Sequence, residues 1–189
     1  MAEPKVSGVE MLKKKFEQFN QLKKELGEEK SWEKIFEGYP ERQRKNMGQF
    51  IENNTLAEGF SNAIPYYKQI GMDMEVVDIS NNDFDAVLEI QKTCPVLSVC
   101  KDYGFEKPCG LICALDVRAT KEAFPGMKGA ILSAQAEGDS VCLFKYEREK
   151  KWDCCERIVL DLLLCMNIVV LGPASEQGLF FRHVLGCRQ

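Results

Sequence analysis

Residues 74–95 read MEVVDISNNDFDAVLEIQKTCP and contain the pattern that decides the fold. Residues 74–79 have the composition of a β-strand, and the Ser-Asn-Asn-Asp cluster at 80–83 is typical of a turn. Residues 86–91 then alternate between two sets, Ala86, Leu88 and Ile90 on one side and Val87, Glu89 and Gln91 on the other. That period of two predicts a second strand, and hence a hairpin that ends just before Cys94.

The pattern after this hairpin predicts two helices and a second pair of strands. Pro95 can occupy the first position of a helix, where its missing N–H is tolerated, and a second short helix is predicted over 111–123. Residues 129–136 and 140–147 are predicted to be strands joined by the tight turn Glu137-Gly138-Asp139. The order β-β-α-α-β-β predicts an α+β fold, with a four-stranded antiparallel sheet and helices on one face.

The region before the hairpin has the periodicity of helices. Its first helix repeats apolar residues at three- and four-residue steps, namely Leu12, Phe16, Phe19, Leu22 and Leu26. The basic run Lys13-Lys14-Lys15 is predicted to lie on a solvated helix face. We therefore predict one compact domain with three parts: a helical part over 1–72, a sheet part with the site over 73–150, and an apolar tail over 151–189.

Composition narrows the classes of partner. The chain has 189 residues and a formal net charge of −4, which argues against a nucleic-acid partner. An odd number of cysteines, nine, without a signal peptide favours a reducing cytoplasm. The apolar run over 158–171 is too short to span a bilayer and contains Asp161 and Asn167, so no membrane partner is predicted. Because the same tail is apolar, a homodimer is also compatible with the sequence.

Four residues are candidates for catalysis: Cys94, Cys113, Asp116 and Asp139. Cys94 precedes a predicted helix, whose N-terminal dipole favours a thiolate that can act as a nucleophile or bind metal. Cys113 and Asp116 are three residues apart, so a helix would place both on one side, where the carboxylate could move a proton. Packing of the cysteines in the core is the alternative, and Asp139 also has the ordinary chemistry of a hairpin turn.

Four further residues are candidates for substrate binding: Cys142, Phe144, Tyr146 and Tyr103. The first three alternate along one face of the last predicted strand, which suits either a ligand cradle or the core. Tyr103 ends the helix that follows Cys94.

A thiolate metal site is a separate hypothesis. Cys94, Cys100, Cys109 and Cys113 could supply four ligands, but their spacing, C-x5-C-x8-C-x3-C, fits no standard zinc motif. We therefore predict no metal and no other cofactor. The chain contains a single histidine, His183, so acid–base chemistry falls to Asp, Glu, Cys or Tyr.

Taken in order, four pieces of the sequence resemble the L-2-amino-thiazoline-4-carboxylic acid hydrolase family. They are Cys94-Pro95, an aliphatic helix that runs to Tyr103-Gly104, Cys113-x-x-Asp116 and Gly138-Asp139-x-x-Cys142-x-Phe144, within a likeness that spans residues 74–147. The resemblance implies a hydrolase that opens a thiazoline ring to an N-carbamoyl cysteine. It implies action on a C–N bond of a small cyclic amidine or thiazoline-type substrate, or a relative recruited to biosynthetic ring opening or cyclisation.

The chain departs from that family in ways that bear on the substrate. Leu143 stands where the family pattern has an acidic residue, and residues 131–136 are less polar than the family's basic, Thr-rich strand. We therefore expect a more apolar pocket. The same order of elements is also similar to vinyl-reductase-type sensor domains, which bind small molecules without catalysis, so a non-catalytic binding module is the main alternative.

Overall fold

The first part of the chain folds as four consecutive helices. The computed structural model describes residues 8–103 and 110–150. The helices are α1 (Gly8–Leu26), α2 (Glu28–Phe36), α3 (Tyr39–Ile51) and α4 (Leu56–Gln69). The apolar stripe of α1 is buried at Phe16 and Phe19. Gly27 separates α1 from α2 with a φ of 80°, a conformation that glycine adopts without a Cβ clash.

The second part is the predicted four-stranded antiparallel sheet. The four strands are β1 (Asp73–Asp78), β2 (Phe84–Thr93), β3 (Lys128–Ser133) and β4 (Cys142–Glu149). Two helices, α5 (Val96–Asp102) and α6 (Leu115–Ala123), lie between β2 and β3 in the chain. The strand order is β1-β2-β4-β3, so the last strand lies between β2 and β3 and joins the two hairpins into one sheet. The predicted α+β class, with helices preceding an antiparallel sheet, is confirmed.

The third strand is shorter than predicted. It ends at Ser133 rather than at Ala136, because its pairing with β4 shifts register between Ile131 and Ser133. Residues Gln135–Glu137 then form one 3-10 turn. The predicted glycine turn is present at Gly138, whose φ of 102° suits this residue type.

One face of the sheet is covered by helices. Helix α4 packs on β1 and β2, α6 packs on β3, and α3 packs on both α4 and α6. At Gly129 the approach is close, since a Cβ there would lie 3.1 Å from the Tyr146 ring and 3.1 Å from Val117 Cγ1. The space between the helix layer and the sheet therefore contains the core.

Strand β2 turns its more polar set of residues toward the helices. Asp85, Val87, Glu89 and Gln91 are buried, whereas Leu88 and Ile90 are only half-buried on the opposite face. Two acids and an amide thus lie on the inward face, which is the observation that positions the site.

A short π-helical turn, Gly110–Ala114, leads directly into α6. The predicted helix over 111–123 is therefore present, although its first turn is wound more loosely. Turns of this type are frequent at functional sites. Here the π-helical turn carries Cys113, and the first turn of α6 carries Asp116.

The predicted apolar tail over 151–189 lies outside the described residues. Within the described ranges, no helix is both long enough and apolar enough to cross a bilayer.

Candidate active site

Two neighbouring cavities share lining residues from α3, α4 and α6; the inner one also reaches the sheet, whereas the outer one lies among the helices. The inner cavity has a volume of about 30 Å³, which is room for roughly two water-sized groups. The outer cleft is much larger, about 590 Å³. Four residues line both, namely Gln43, Met47, Tyr67 and Asp116. Asp116 is therefore at the boundary between a small inner cavity and a larger cleft that can admit a ligand.

Asp116 is the end of a hydrogen-bonded chain that begins on α1. The Tyr39 hydroxyl donates to Asp116 Oδ1 at 2.5 Å. The same hydroxyl accepts from Lys15 Nζ at 2.7 Å. Three elements far apart in the chain, α1, α3 and α6, thus bring an amine, a phenol and a carboxyl into contact.

Burial shifts the pKa of each group in this chain. Burial raises the pKa of Asp116, while the Lys15 charge and the Tyr39 hydrogen bond act against that rise. Burial lowers the pKa of Lys15 to about 8; the Asp116 charge opposes this, and Arg42 adds to it. The Tyr39 pKa lies well above its ordinary value, first through burial and then through Asp116. Shifts that bring an acid and an amine toward neutrality are typical of catalytic groups.

The position of Asp116 is fixed by its own helix and by α3. The Thr120 hydroxyl donates to the Asp116 carbonyl at 2.8 Å, and Gln43 Nε2 donates to Thr120 Oγ1 at 3.0 Å. Thr120 is almost fully buried, with 1% of its surface exposed. This contact ties the start of α6 to α3, and it holds Asp116 beside Tyr39.

The inner cavity contains a second acid, Glu89. Glu89 Oε1 accepts a hydrogen bond from Gln91 Nε2 at 2.6 Å. Burial raises the pKa of Glu89 to about 7; the Gln91 bond opposes this, and the Asp116 charge adds to it. The pKa values of Tyr67 and Tyr146, which line the same cavity, are raised well above the ordinary tyrosine value, mainly by burial. Two acids that disfavour each other's ionisation can serve as an acid and a base.

Four of the eight residues proposed from sequence line the inner cavity: Cys113, Asp116, Phe144 and Tyr146. Cys113 and Asp116 lie on the same side of the helical segment, as their three-residue spacing predicts. Phe144 and Tyr146 are buried on the inward face of β4. The structure brings these four together, and their roles in catalysis or binding stay predictions.

The other four residues line neither cavity. Cys94 follows β2 and packs against the core. Asp139 Oδ2 accepts from the Ala134 amide at 2.8 Å, which closes the turn before β4. The Gln135 amide donates to Cys142 Sγ at 3.4 Å. Tyr103 donates to Glu17 Oε1 at 2.6 Å and stacks on Phe16, with ring centroids 5.8 Å apart. These contacts give each of the last three a local structural role.

The thiolate metal hypothesis needs four cysteines, of which Cys109 lies outside the described residues. Among the residues that the structure describes, no group of three or more His, Cys, Asp and Glu side chains is arranged to hold a metal ion.

Several polar residues of the site were not singled out from sequence: Lys15, Tyr39, Arg42, Gln43, Tyr67, Glu89, Gln91 and Thr120. The prediction for Lys15 was wrong, because this residue is half-buried against Tyr39 rather than solvated. A signal was present, since Lys15 lies three residues after Leu12 and four before Phe19, beside the apolar stripe. Tyr39 has no such local signal.

Comparison with known proteins gives no assignment. No protein-family model matches the chain, and no curated protein matches it significantly.

Proposed function

We propose that this protein is a hydrolase that acts on a C–N bond of a small cyclic amidine or thiazoline-type substrate. The observation that carries the proposal is the Asp116 carboxyl at the boundary between cavity and cleft, hydrogen-bonded to Tyr39, which also bonds to Lys15. The motif resemblance supports the same chemistry. The proposal includes a small-molecule substrate and a location of the protein in the reducing cytoplasm.

Asp116 is the general base in the proposed mechanism. It removes a proton from water as the water oxygen bonds to the amidinium carbon, and the C=N electron pair moves to nitrogen. In a cyclic amidine, protonated Asp116 then gives its proton to the leaving nitrogen, the C–N bond breaks as the carbonyl forms, and the last proton on the carbonyl oxygen passes to the released amine. In 2-amino-thiazoline-4-carboxylate, opening to the N-carbamoyl cysteine breaks the C–S bond instead, so Asp116 gives its proton to the leaving sulfur and the carbonyl oxygen loses its last proton to water. Charge and atoms balance in both cases. A raised pKa suits this double use.

Lys15 and Tyr39 position Asp116 and set its charge state. Because the pKa of Lys15 is lowered to about 8, the amine can lose and regain a proton near neutral pH. Tyr39 keeps its proton, since its pKa is raised, and so remains a donor to Asp116. The covalent alternative uses a thiol as the nucleophile. Cys113 lines the cavity beside Asp116, whereas Cys94 does not.

The test is turnover of a panel of cyclic amidines and 2-amino-thiazoline-4-carboxylate, followed by mass spectrometry of the hydrated product. Asp116→Asn should lower kcat by about 100-fold or more, which is the usual contribution of a general base. Asp139→Asn is the matched control, because Asp139 is exposed in a turn away from both cavities. It should keep its rate.

Three outcomes would contradict the assignment. Full activity in Asp116→Asn would remove Asp116 from the chemistry, and loss of activity in Cys113→Ser or Cys94→Ser with a trapped adduct would favour the covalent route. Saturable binding without turnover of any substrate would instead support the non-catalytic binding module.

A further inference from the structure

The inner end of the cavity contains an unusual polar pair. Glu89 and Gln91 come from the inward face of β2 and are 4% and 5% exposed. Gln91 Nε2 donates to Glu89 Oε1 at 2.6 Å, and it lies 4.0 Å from Met72 Sδ. Gln91 Oε1 has no hydrogen-bond partner, and among the described residues it is the only buried side-chain nitrogen or oxygen in that state. An unpaired buried acceptor costs about 1–3 kcal/mol, so it calls for an explanation.

The Glu89–Gln91 pair is surrounded by hydrogen-bond acceptors and aromatic rings. None of the ion pairs formed within residues 8–103 and 110–150 includes Glu89. Aromatic residues line the same cavity, namely Phe60, Tyr67, Phe144 and Tyr146. A cation near aromatic rings and a carboxylate is stabilised by both. An anion would meet the carboxylate, and an apolar group would leave Gln91 Oε1 unpaired.

We propose that the inner cavity binds the protonated nitrogen group, an ammonium or amidinium head, of a small-molecule ligand. Glu89 is the counter-ion, Gln91 Oε1 accepts an N–H, and the rest of the ligand extends past Asp116 into the outer cleft. This inference deepens the proposed function. It rests on that function only where it takes the ligand to be the substrate. With a volume of about 30 Å³, the inner cavity favours a small polar head over a bulky one.

Binding of a cation should be linked to pH through Glu89. The groups that face Glu89 are Asp116 on α6, Tyr67 on α4, Tyr146 on β4 and Gln91 on its own strand. A bound cation holds Glu89 ionised, so binding at pH 6 must first remove a proton. With a pKa of about 7, the ionised fraction rises from about 10% at pH 6 to about 90% at pH 8, so affinity should rise about ninefold.

The experiment titrates the full chain with acetamidinium and with acetamide, its neutral analogue of the same shape, and follows binding by calorimetry or NMR. Acetamidinium should bind about ninefold more tightly at pH 8 than at pH 6, and acetamide should not bind. Glu89→Gln should lose at least tenfold in acetamidinium affinity and lose the pH dependence. Glu75→Gln, which removes an exposed carboxylate from the neighbouring strand, is the matched control and should bind as wild type does.

Several results would overturn the proposal: no acetamidinium binding, equal binding of acetamide, or unchanged affinity in Glu89→Gln. Its failure is distinguishable from failure of the hydrolase. Acetamidinium binding without turnover of any amidine would contradict the hydrolase proposal but not the cation site. Turnover with an unchanged KM in Glu89→Gln would contradict the cation site but not the hydrolase proposal.

Discussion

Two buried acids on the same face of β2, Asp85 and Glu89, have opposite surroundings. Asp85 is 6% exposed and Glu89 is 4% exposed, so burial alone does not distinguish them. Asp85 accepts from the Leu56 amide at 3.0 and 3.1 Å and pairs with Arg148 at 2.9 Å. Glu89 has only the Gln91 amide as a hydrogen-bond donor within the described part of the chain.

The pairing of Asp85 extends into the backbone around it. Arg148 Nη1 donates to the Ile51 carbonyl at 2.9 Å, and Nη2 donates to the Asn54 carbonyl at 2.5 Å. One ion pair therefore joins β4, β2 and the connection between α3 and α4. A buried charge that is fully paired in this way supports the fold, whereas one that is incompletely paired is available to a ligand.

The largest effect on stability is expected from Asp85→Asn. The change leaves Arg148 without its counter-charge and should lower the free energy of unfolding by about 2–3 kcal/mol, because removing one partner of a buried pair leaves the other uncompensated. Urea denaturation at pH 7 measures it. Glu75→Gln, in an exposed ion pair, is the control and should change stability by less than about 0.5 kcal/mol. Equal changes in stability in the two variants would contradict the claim that the Asp85–Arg148 pair supports the fold.

Glu89→Gln is expected to act in the opposite direction. The folded-state pKa of Glu89, about 7, lies above its ordinary value of 4.5. The folded protein therefore holds this proton more tightly, and the contribution of Glu89 to wild-type stability falls by about 3 kcal/mol as pH rises from 4.5 to 7. At pH 8 the variant should be about 2 kcal/mol more stable than wild type, with no gain at pH 4. Urea denaturation across this pH range would refute the account if Glu89→Gln were destabilised as Asp85→Asn is.

Gln91→Leu should have the smallest effect on stability. It removes an unpaired acceptor, which is favourable, and a donor to Glu89, which is unfavourable, so the net change should stay within about 1 kcal/mol. The pKa of Glu89 should rise, because the Gln91 hydrogen bond lowers it. Thermal unfolding and a carboxyl titration check the two parts. A loss above about 2 kcal/mol would make Gln91 a structural partner like Arg148.

Local patterns were sufficient for the fold class, and they singled out four of the residues that line the inner cavity. The strand alternation predicts β2, and the three-residue spacing predicts that Cys113 and Asp116 share one side, because both depend on the geometry of a single element. The alternation does not say which face is buried. Leu88 and Ile90 belong to the more apolar set, yet the structure leaves them half-buried and buries Glu89 and Gln91 against the helices.

Contacts between distant elements could not be predicted from one sequence. Tyr39 and Asp116 are separated by 77 residues, and their meeting depends on how α3 packs against α6. For the same reason, the sequence placed Asp139 in the site by its motif and Tyr103 by its place at the end of a helix, whereas Asp139 closes a turn and Tyr103 contacts α1 across 86 residues of sequence.

The most direct test of the central claim, that Glu89 is a buried acid available to a ligand, is a ¹³C NMR titration of the glutamate side-chain carboxyls in the full chain. Glu89→Gln assigns the signal. We expect one carboxyl that titrates near pH 7 and is missing from the variant. If the signal lost in the variant titrates in the ordinary range of glutamate, near 4.5, Glu89 is not the buried acid described, and the cation site loses its basis.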